Sequence, residues 1–139
     1  MKKILTYKGA VMTWETDSNR HMNVMYYVNK FEHAGRNFNL DLGLHKIIHQ
    51  GEIGIVVLEQ KLNYYREVFE DDLIYIESSV IDIGNKAYTL FHEMYNGKTK
   101  ELVSTMRVVL TLFDQVERKA IVFPPLEKER LLKSIAPKS

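Results

Sequence analysis

A polar segment at residues 17–23, with the sequence DSNRHMN, contains side chains that could carry out acid–base or nucleophilic chemistry. An aspartate in water has a pKa of about 3.9, so Asp17 is expected to be ionised at neutral pH. An ionised carboxylate can attack a carbonyl carbon or accept a proton from water. A carboxylate before a helix is also favoured by the helix dipole alone, by about 0.3–1 kcal/mol. Taken by itself, Asp17 therefore leaves a catalytic and a purely structural interpretation open.

A helix is predicted directly after this segment, over residues 24–42. Its apolar residues recur at spacings of three and four, which places them on one face: Tyr27, Val28, Phe31, Ala34, Phe38 and Leu42. Asn23 is a good N-cap residue and Gly43 a plausible helix stop. Lys30 is expected on the opposite, polar side with Asn29, Arg36 and Asn37. The first free N–H groups of this helix, at its positive end, could stabilise a developing oxyanion.

Five strands are predicted around the helix, at residues 7–14, 54–65, 73–83, 86–95 and 102–113. Gly84-Asn85 and Asn96-Gly97 predict two-residue turns that use positive φ angles. A short charged helix is predicted at 126–134. We interpret residues 1–139 as one α+β domain, in which one long helix is wrapped by a curved antiparallel sheet of about five strands.

The composition of the chain excludes several classes of binding partner and of functional site. The net charge is +1, which gives no reason to expect nucleic acid, and the absence of cysteine excludes a disulfide framework and a thiolate zinc site. Since no apolar run is long enough for a signal peptide or a membrane span, we expect a cytoplasmic protein without membrane association. His45 and His49 have the helical spacing of a metal pair but lack a third ligand, so no metal site is expected.

The element order and three motifs together resemble the hotdog-fold acyl-CoA thioesterases, in particular the 4-hydroxybenzoyl-CoA thioesterase type. The motifs are the Asp17-x-x-x-His21-x-Asn23 loop, a tyrosine at Tyr27, and a helix segment Phe31-Glu32-x-Ala34-x-Arg36. The resemblance covers about residues 5–125. Arg20 stands where the family usually has glycine, and Val24 where it usually has a second asparagine.

The resemblance implies a reaction and a set of site residues. Asp17 would attack the thioester carbonyl or activate a water, with the backbone N–H of Val24 as oxyanion donor and with Asn23 and His21 supporting the loop. Tyr27 would line the substrate pocket. The substrate would be an acyl-CoA or an acyl carrier protein thioester, hydrolysed without a metal or redox cofactor by a homodimer or homotetramer. Glu59, an acid in an apolar strand, would face the subunit interface or the neighbouring protomer's cleft, unless it is simply exposed.

Two alternatives on the same fold remain open. A non-catalytic acyl-thioester-binding module would sense its ligand without a carboxylate in the loop. A hotdog dehydratase would need a histidine and an acid that converge on one substrate carbon, and Glu32 and His33 are the nearest pair. Adjacent helix residues point about 100° apart, so this pair does not converge.

Overall fold

One helix packs against a curled antiparallel sheet of five main strands, which lie side by side in the chain order first, third, fourth, fifth and second. The computed structural model describes residues 2–48 and 51–135. The elements are β1 (Ile4–Ala10), α1 (Val24–Leu42), α2 (His45–Ile48), β2 (Ile53–Tyr64), β3 (Leu73–Ile83), β4 (Ala87–Asn96), β5 (Leu102–Asp114), β6 (Lys119–Ala120) and α3 (Pro125–Ile135). A short 3₁₀ turn, Thr13–Glu15, precedes α1. This arrangement confirms the predicted α+β architecture.

The helix α1 begins and ends where the sequence predicts. The Asn23 side chain accepts a hydrogen bond from the Met25 N–H at 3.1 Å, and Gly43 ends the helix with a φ of 75°. The predicted apolar face is turned to the sheet, with Phe31, Ala34 and Phe38 almost completely buried. These side chains form the core together with residues of β3, β4 and β5, which include Ile76, Leu90, Met94, Met106 and Val108.

The first strand lies earlier than predicted. It ends at Ala10, and the chain then turns at Thr13–Glu15 instead of continuing the ladder. The cause is local: the Glu15 carboxylate accepts the backbone N–H of Met12 at 2.8 Å, which stabilises the turn. Trp14, predicted within the strand, is consequently 70% exposed.

The Asn96-Gly97 connection is also not the predicted two-residue turn. The loop runs through residues 97–101 because the Asn96 side chain accepts the N–H groups of Lys98 and Thr99. The positive φ angle falls on Lys100, at 66°, rather than on Gly97. The other predicted turn does connect β3 to β4 at residues 84–86, but neither Gly84 nor Asn85 has a positive φ.

The segment after α1 contains the short helix α2. His49 lies outside the described residues, so the spacing of His45 and His49 is not described further. Among residues 2–48 and 51–135, no helix is long and apolar enough to span a membrane.

Candidate active site

The Asp17 loop is a tight hairpin that leads into α1. Thr16 and Met22 pair across it, and the Asp17 N–H donates to the His21 carbonyl at 3.0 Å. Arg20 sits at the tip with a φ of 68°, the left-handed conformation. Glycine adopts this conformation without a steric penalty. This explains why the family that the sequence resembles usually has glycine at this position. Arg20 therefore keeps the backbone path of the loop while adding an exposed cationic side chain.

The two oxygens of the Asp17 carboxylate have different surroundings. Its Oδ1 accepts the N–H of Asn19 at 2.8 Å, and its Oδ2 lies 3.9 Å from Nδ1 of His21. The side chain is 25% exposed. One oxygen is thus fixed by the loop backbone, whereas the other can reach a ligand.

His21 connects the loop to the segment between β2 and β3. Its Nε2 lies 3.6 Å from the Glu67 carboxylate, and its ring meets Phe69 edge-on. The Met22 N–H donates to the Val68 carbonyl at 2.8 Å, which fixes the same connection through the backbone. His21 therefore lies between two carboxylates and helps to hold the loop in place.

A buried ion pair lies beneath the loop, and it includes Lys30, which was predicted on the polar side of α1. Nζ of Lys30 lies 3.0 Å from Oε2 of Glu15, and the two side chains are only 3% and 9% exposed. Lys30 also donates to the Tyr7 hydroxyl at 3.2 Å. The backbone carbonyl of Glu15 in turn accepts the Asn23 N–H at 2.8 Å, so the pair is tied to the start of α1.

No sequence pattern signals this pair, because Lys30 falls on the polar side of the helix period. Its partner lies 15 residues earlier, in a turn rather than on the same helix. Only the packing of that turn against α1 and β1 buries the ammonium group.

The N-terminus of α1 is open to solvent. Val24 and Met25 are 61% and 63% exposed. Asn23 occupies the Met25 N–H, and among the described residues the Val24 N–H has no acceptor. A free donor at the positive end of a helix is suited to a carbonyl oxygen that gains negative charge.

Tyr27 lies one turn into α1, with its ring 5.0 Å from that of Tyr64 at the end of β2. Burial raises the pKa of Tyr27 to about 12, and Tyr64, Glu67 and Asp17 add to the effect because a phenolate is disfavoured beside other anions. The structure therefore brings Tyr27 into the electrostatic neighbourhood of Asp17. Its hydroxyl is neutral at physiological pH.

Glu59 does not contact the Asp17 loop in the described part of the chain. It sits in the middle of β2, at the register shift that follows Val57, and its carboxylate is 3.4 Å from Nη1 of Arg107. The side chain is 66% exposed. Its ion-pair partner is thus a neighbouring strand residue rather than a group of the Asp17 loop.

A cavity of about 370 Å³ lies between the second half of α1 and strands β2, β4 and β5. Its wall is mainly apolar, with residues that include Phe31, Leu40, Ile55, Val57, Leu90 and Leu110. Gly35 of α1 and His92 of β4 also line it. Sequence reasoning did not identify this cavity; the available signals were a glycine inside a helix and a histidine inside an apolar strand. Within the described part of the chain, no cluster of metal-ligating side chains is present.

Residues 11–131 match the family described as the Thioesterase-like superfamily. The chain belongs to this superfamily. A search of curated proteins finds no match. Membership agrees with the predicted thioester hydrolase in general terms and does not single out the 4-hydroxybenzoyl-CoA type.

Solved structures show the same fold over nearly the whole chain. SAV2348 from Staphylococcus aureus, solved in complex with CoA, superimposes with a TM-score of 0.86 at 23% identity, covering 100% of this chain and 90% of that one. Slr0204 from Synechocystis, a 1,4-dihydroxy-2-naphthoyl-CoA thioesterase, gives 0.83 at 12% identity, with 97% and 99% covered. YbaW from Escherichia coli, a probable thioesterase, gives 0.83 at 18%, with 98% and 100% covered. These likenesses confirm the predicted hotdog fold.

Proposed function

We propose that the protein hydrolyses acyl-CoA thioesters in the manner of the 4-hydroxybenzoyl-CoA thioesterase type, with Asp17 as nucleophile or general base. The observation that carries this proposal is a partly exposed carboxylate in a fixed hairpin, immediately before an open helix N-terminus. The membership in the thioesterase-like superfamily supports the choice of a thioester as substrate.

The roles follow from the hydrogen bonds of the loop. Because Asn19 occupies Oδ1 of Asp17, Oδ2 is the oxygen that reacts. It either attacks the thioester carbonyl, which releases the CoA thiolate and leaves an anhydride for water to hydrolyse, or it takes a proton from the attacking water. Asn23 occupies the Met25 N–H, which leaves the Val24 N–H for the carbonyl oxygen. Both routes give a free acid and coenzyme A.

We further propose that the chain is a single domain that works as a homodimer joined along β2, or as a tetramer of such dimers. The strand β2 is 12 residues long and lies at the sheet edge. It exposes Val56, Val57 and Leu58. A long apolar edge strand invites pairing with a second chain, and Glu59 would then lie near the two-fold axis.

Antiparallel pairing of two β2 strands would also complete the site. It places the Tyr64 end of one strand beside the Ile53 end of the other. Tyr64 packs on Tyr27 near the Asp17 loop, whereas Ile55 and Val57 line the cavity. Each cavity would therefore lie beside the Asp17 loop of the partner and could receive the acyl group of the thioester held there.

Thiol release from short, long and aromatic acyl-CoA substrates tests the hydrolysis. The wild type should turn over at least one of them, and Asp17→Asn should lose most of this activity while the fold is kept, because the two side chains are nearly isosteric. Asp82→Asn, which changes the same charge on an exposed strand position, is the matched control. If Asp17→Asn retains nearly wild-type turnover, Asp17 is not the catalytic group.

Binding without turnover on every substrate would instead indicate the ligand-binding module or an acyl carrier protein as the natural carrier. Sedimentation equilibrium tests the assembly, since a clean monomer at micromolar concentration contradicts the shared site.

A further inference from the structure

The cavity between α1 and the sheet contains one deeply buried polar side chain. His92 is 1% exposed, lines the cavity, and packs its ring 5.9 Å from that of Phe31. The proposed hydrolysis does not use it. Glu32, Arg36, Asn39 and His45 also line the cavity, but its wall is mainly apolar. A buried polar group at this wall raises the question of which ligand atom it would meet.

Hydrogen bonds connect His92 to two hydroxyl groups on neighbouring strands. The Thr6 hydroxyl lies 3.2 Å from the Ile76 carbonyl, to which it can donate, and 2.8 Å from the Ser78 hydroxyl. The Ser78 oxygen is in turn 2.5 Å from Nδ1 of His92. If Thr6 donates to Ile76, Ser78 donates to Thr6 and accepts from Nδ1; because a neutral imidazole carries one proton, Nε2 then has a lone pair.

The imidazole stays neutral in this setting. Burial lowers the pKa of His92 to about 4, because an imidazolium would be charged in an apolar surrounding. With the proton on Nδ1, Nε2 is a hydrogen-bond acceptor throughout the neutral pH range.

Gly35 leaves this acceptor open toward the helix. A Cβ atom at position 35 would lie 4.0 Å from Nε2 of His92. Apart from the two chain neighbours of Gly35 and the nearby backbone of α1, no other group of the described residues lies within that distance of it. Among the described residues, no side chain hydrogen-bonds to Nε2. Glycine is unfavourable inside a helix relative to alanine, so its presence here suits a function at the cavity wall.

We propose that His92 is a specificity-determining residue, whose Nε2 accepts a hydrogen bond from a hydroxyl group on an otherwise apolar acyl group bound in the cavity. A neutral hydroxyl suits this nitrogen better than an ammonium group, because His92 is only 1% exposed and a cation placed against it would lose its hydration. The cavity volume of about 370 Å³ is sufficient for such a group. This inference rests on the proposed function, in which the cavity receives the acyl group.

The tautomer is tested first, in the free wild-type protein. The ¹⁵N chemical shifts of the His92 ring should show a protonated Nδ1 and an unprotonated Nε2 at neutral pH. A protonated Nε2 would overturn the proposal, because it could not accept from a hydroxyl. This measurement does not depend on enzymatic activity.

Binding is then measured by calorimetry in the Asp17→Asn background, where substrate is expected to survive. The probes are benzoyl-CoA with its 3- and 4-hydroxy derivatives, and octanoyl-CoA with chain-hydroxylated octanoyl-CoA. At least one hydroxylated probe should bind about tenfold more tightly than its parent, as expected for one neutral hydrogen bond. His92→Phe should abolish this preference.

Gly35→Ala provides a second variant that leaves the Thr6–Ser78–His92 chain intact. The added methyl group lies on the cavity wall near Nε2 and should reduce the preference for the hydroxylated probe. If no hydroxylated probe is preferred, or if the preference survives in both variants, the inference is wrong. Turnover without any hydroxyl preference would remove this inference and leave the thioesterase proposal standing. If a hydroxylated probe is preferred in binding but the wild type hydrolyses no substrate, the thioesterase proposal is wrong and this inference stands.

Discussion

The buried pair of Lys30 and Glu15 predicts that the loss of one charge costs more stability than the loss of both. In Lys30→Met the apolar stem of the side chain is largely kept, and the ammonium group is removed. The Glu15 carboxylate would then remain buried, with the Met12 N–H as its one remaining hydrogen-bond donor among the described residues.

The magnitude follows from the burial of both groups. Removing one partner of a buried ion pair costs about 3–5 kcal/mol, because the other charge is left without compensation. For a chain of this length, 1 kcal/mol shifts Tm by roughly 3–5 °C, so Lys30→Met should lower Tm by roughly 10–20 °C.

Urea unfolding measures this penalty. In the double variant Glu15→Gln/Lys30→Met the amide oxygen can still accept the Met12 N–H and no charge is buried. It should therefore recover at least about half of the lost stability. Lys98→Met, at an exposed loop position, is the control and should change stability by less than about 0.5 kcal/mol.

The single variant should also turn over substrate more slowly, because the Glu15 carbonyl holds the Asn23 N–H at the start of α1. A cost below about 1 kcal/mol for Lys30→Met, or a double variant as unstable as the single one, would refute the reasoning from a buried charge pair.

Three further predictions concern stability. Asn23→Ala removes the helix cap and should cost about 1 kcal/mol in thermal unfolding, with no loss expected for the exposed Asn29→Ala. Gly43→Ala should cost roughly 1–3 kcal/mol, because φ is 75° and a Cβ atom would fall on the Arg130 side chain; an unchanged Tm would contradict this. Since burial lowers the pKa of His92 to about 4, the unfolded chain alone binds this proton below about pH 6.5, and wild-type stability should fall by up to about 3 kcal/mol between pH 6.5 and 4. The free energy of unfolding should change less with pH in His92→Gln than in the wild type. An equal pH dependence of both, measured by urea unfolding, would show that His92 does not titrate this way.

The helix α1 was predictable to the residue because its determinants are local. Asn23 supplies the cap, Gly43 adopts the left-handed conformation that ends the helix, and the apolar spacing marks the buried face. The strand β3 likewise coincides with its predicted range, since turn residues bound it on both sides. The position of Asp17 directly before a helix also follows from sequence, whereas its catalytic role, the Val24 oxyanion donor and the interface position of Glu59 remain predictions.

Other features depend on contacts between distant parts of the chain. The sequence places Lys30 on the polar face of α1, and only the approach of the Glu15 turn makes a buried position favourable. The turn after Asn96 forms because the Asn96 side chain accepts hydrogen bonds from the N–H groups of Lys98 and Thr99. The dipeptide Asn96-Gly97 alone does not reveal these contacts.

The sequence by itself determined the element order, the long capped helix and the carboxylate loop before it, because periodicity, capping and turn propensity act within a few residues. Only the tertiary structure decided that His92 lines a cavity and that this cavity lies beside Gly35. The cavity forms where α1 packs over β2, β4 and β5. The hydroxyl partners of His92 come from two other strands, Thr6 from β1 and Ser78 from β3, so these hydrogen bonds exist only once the sheet has formed.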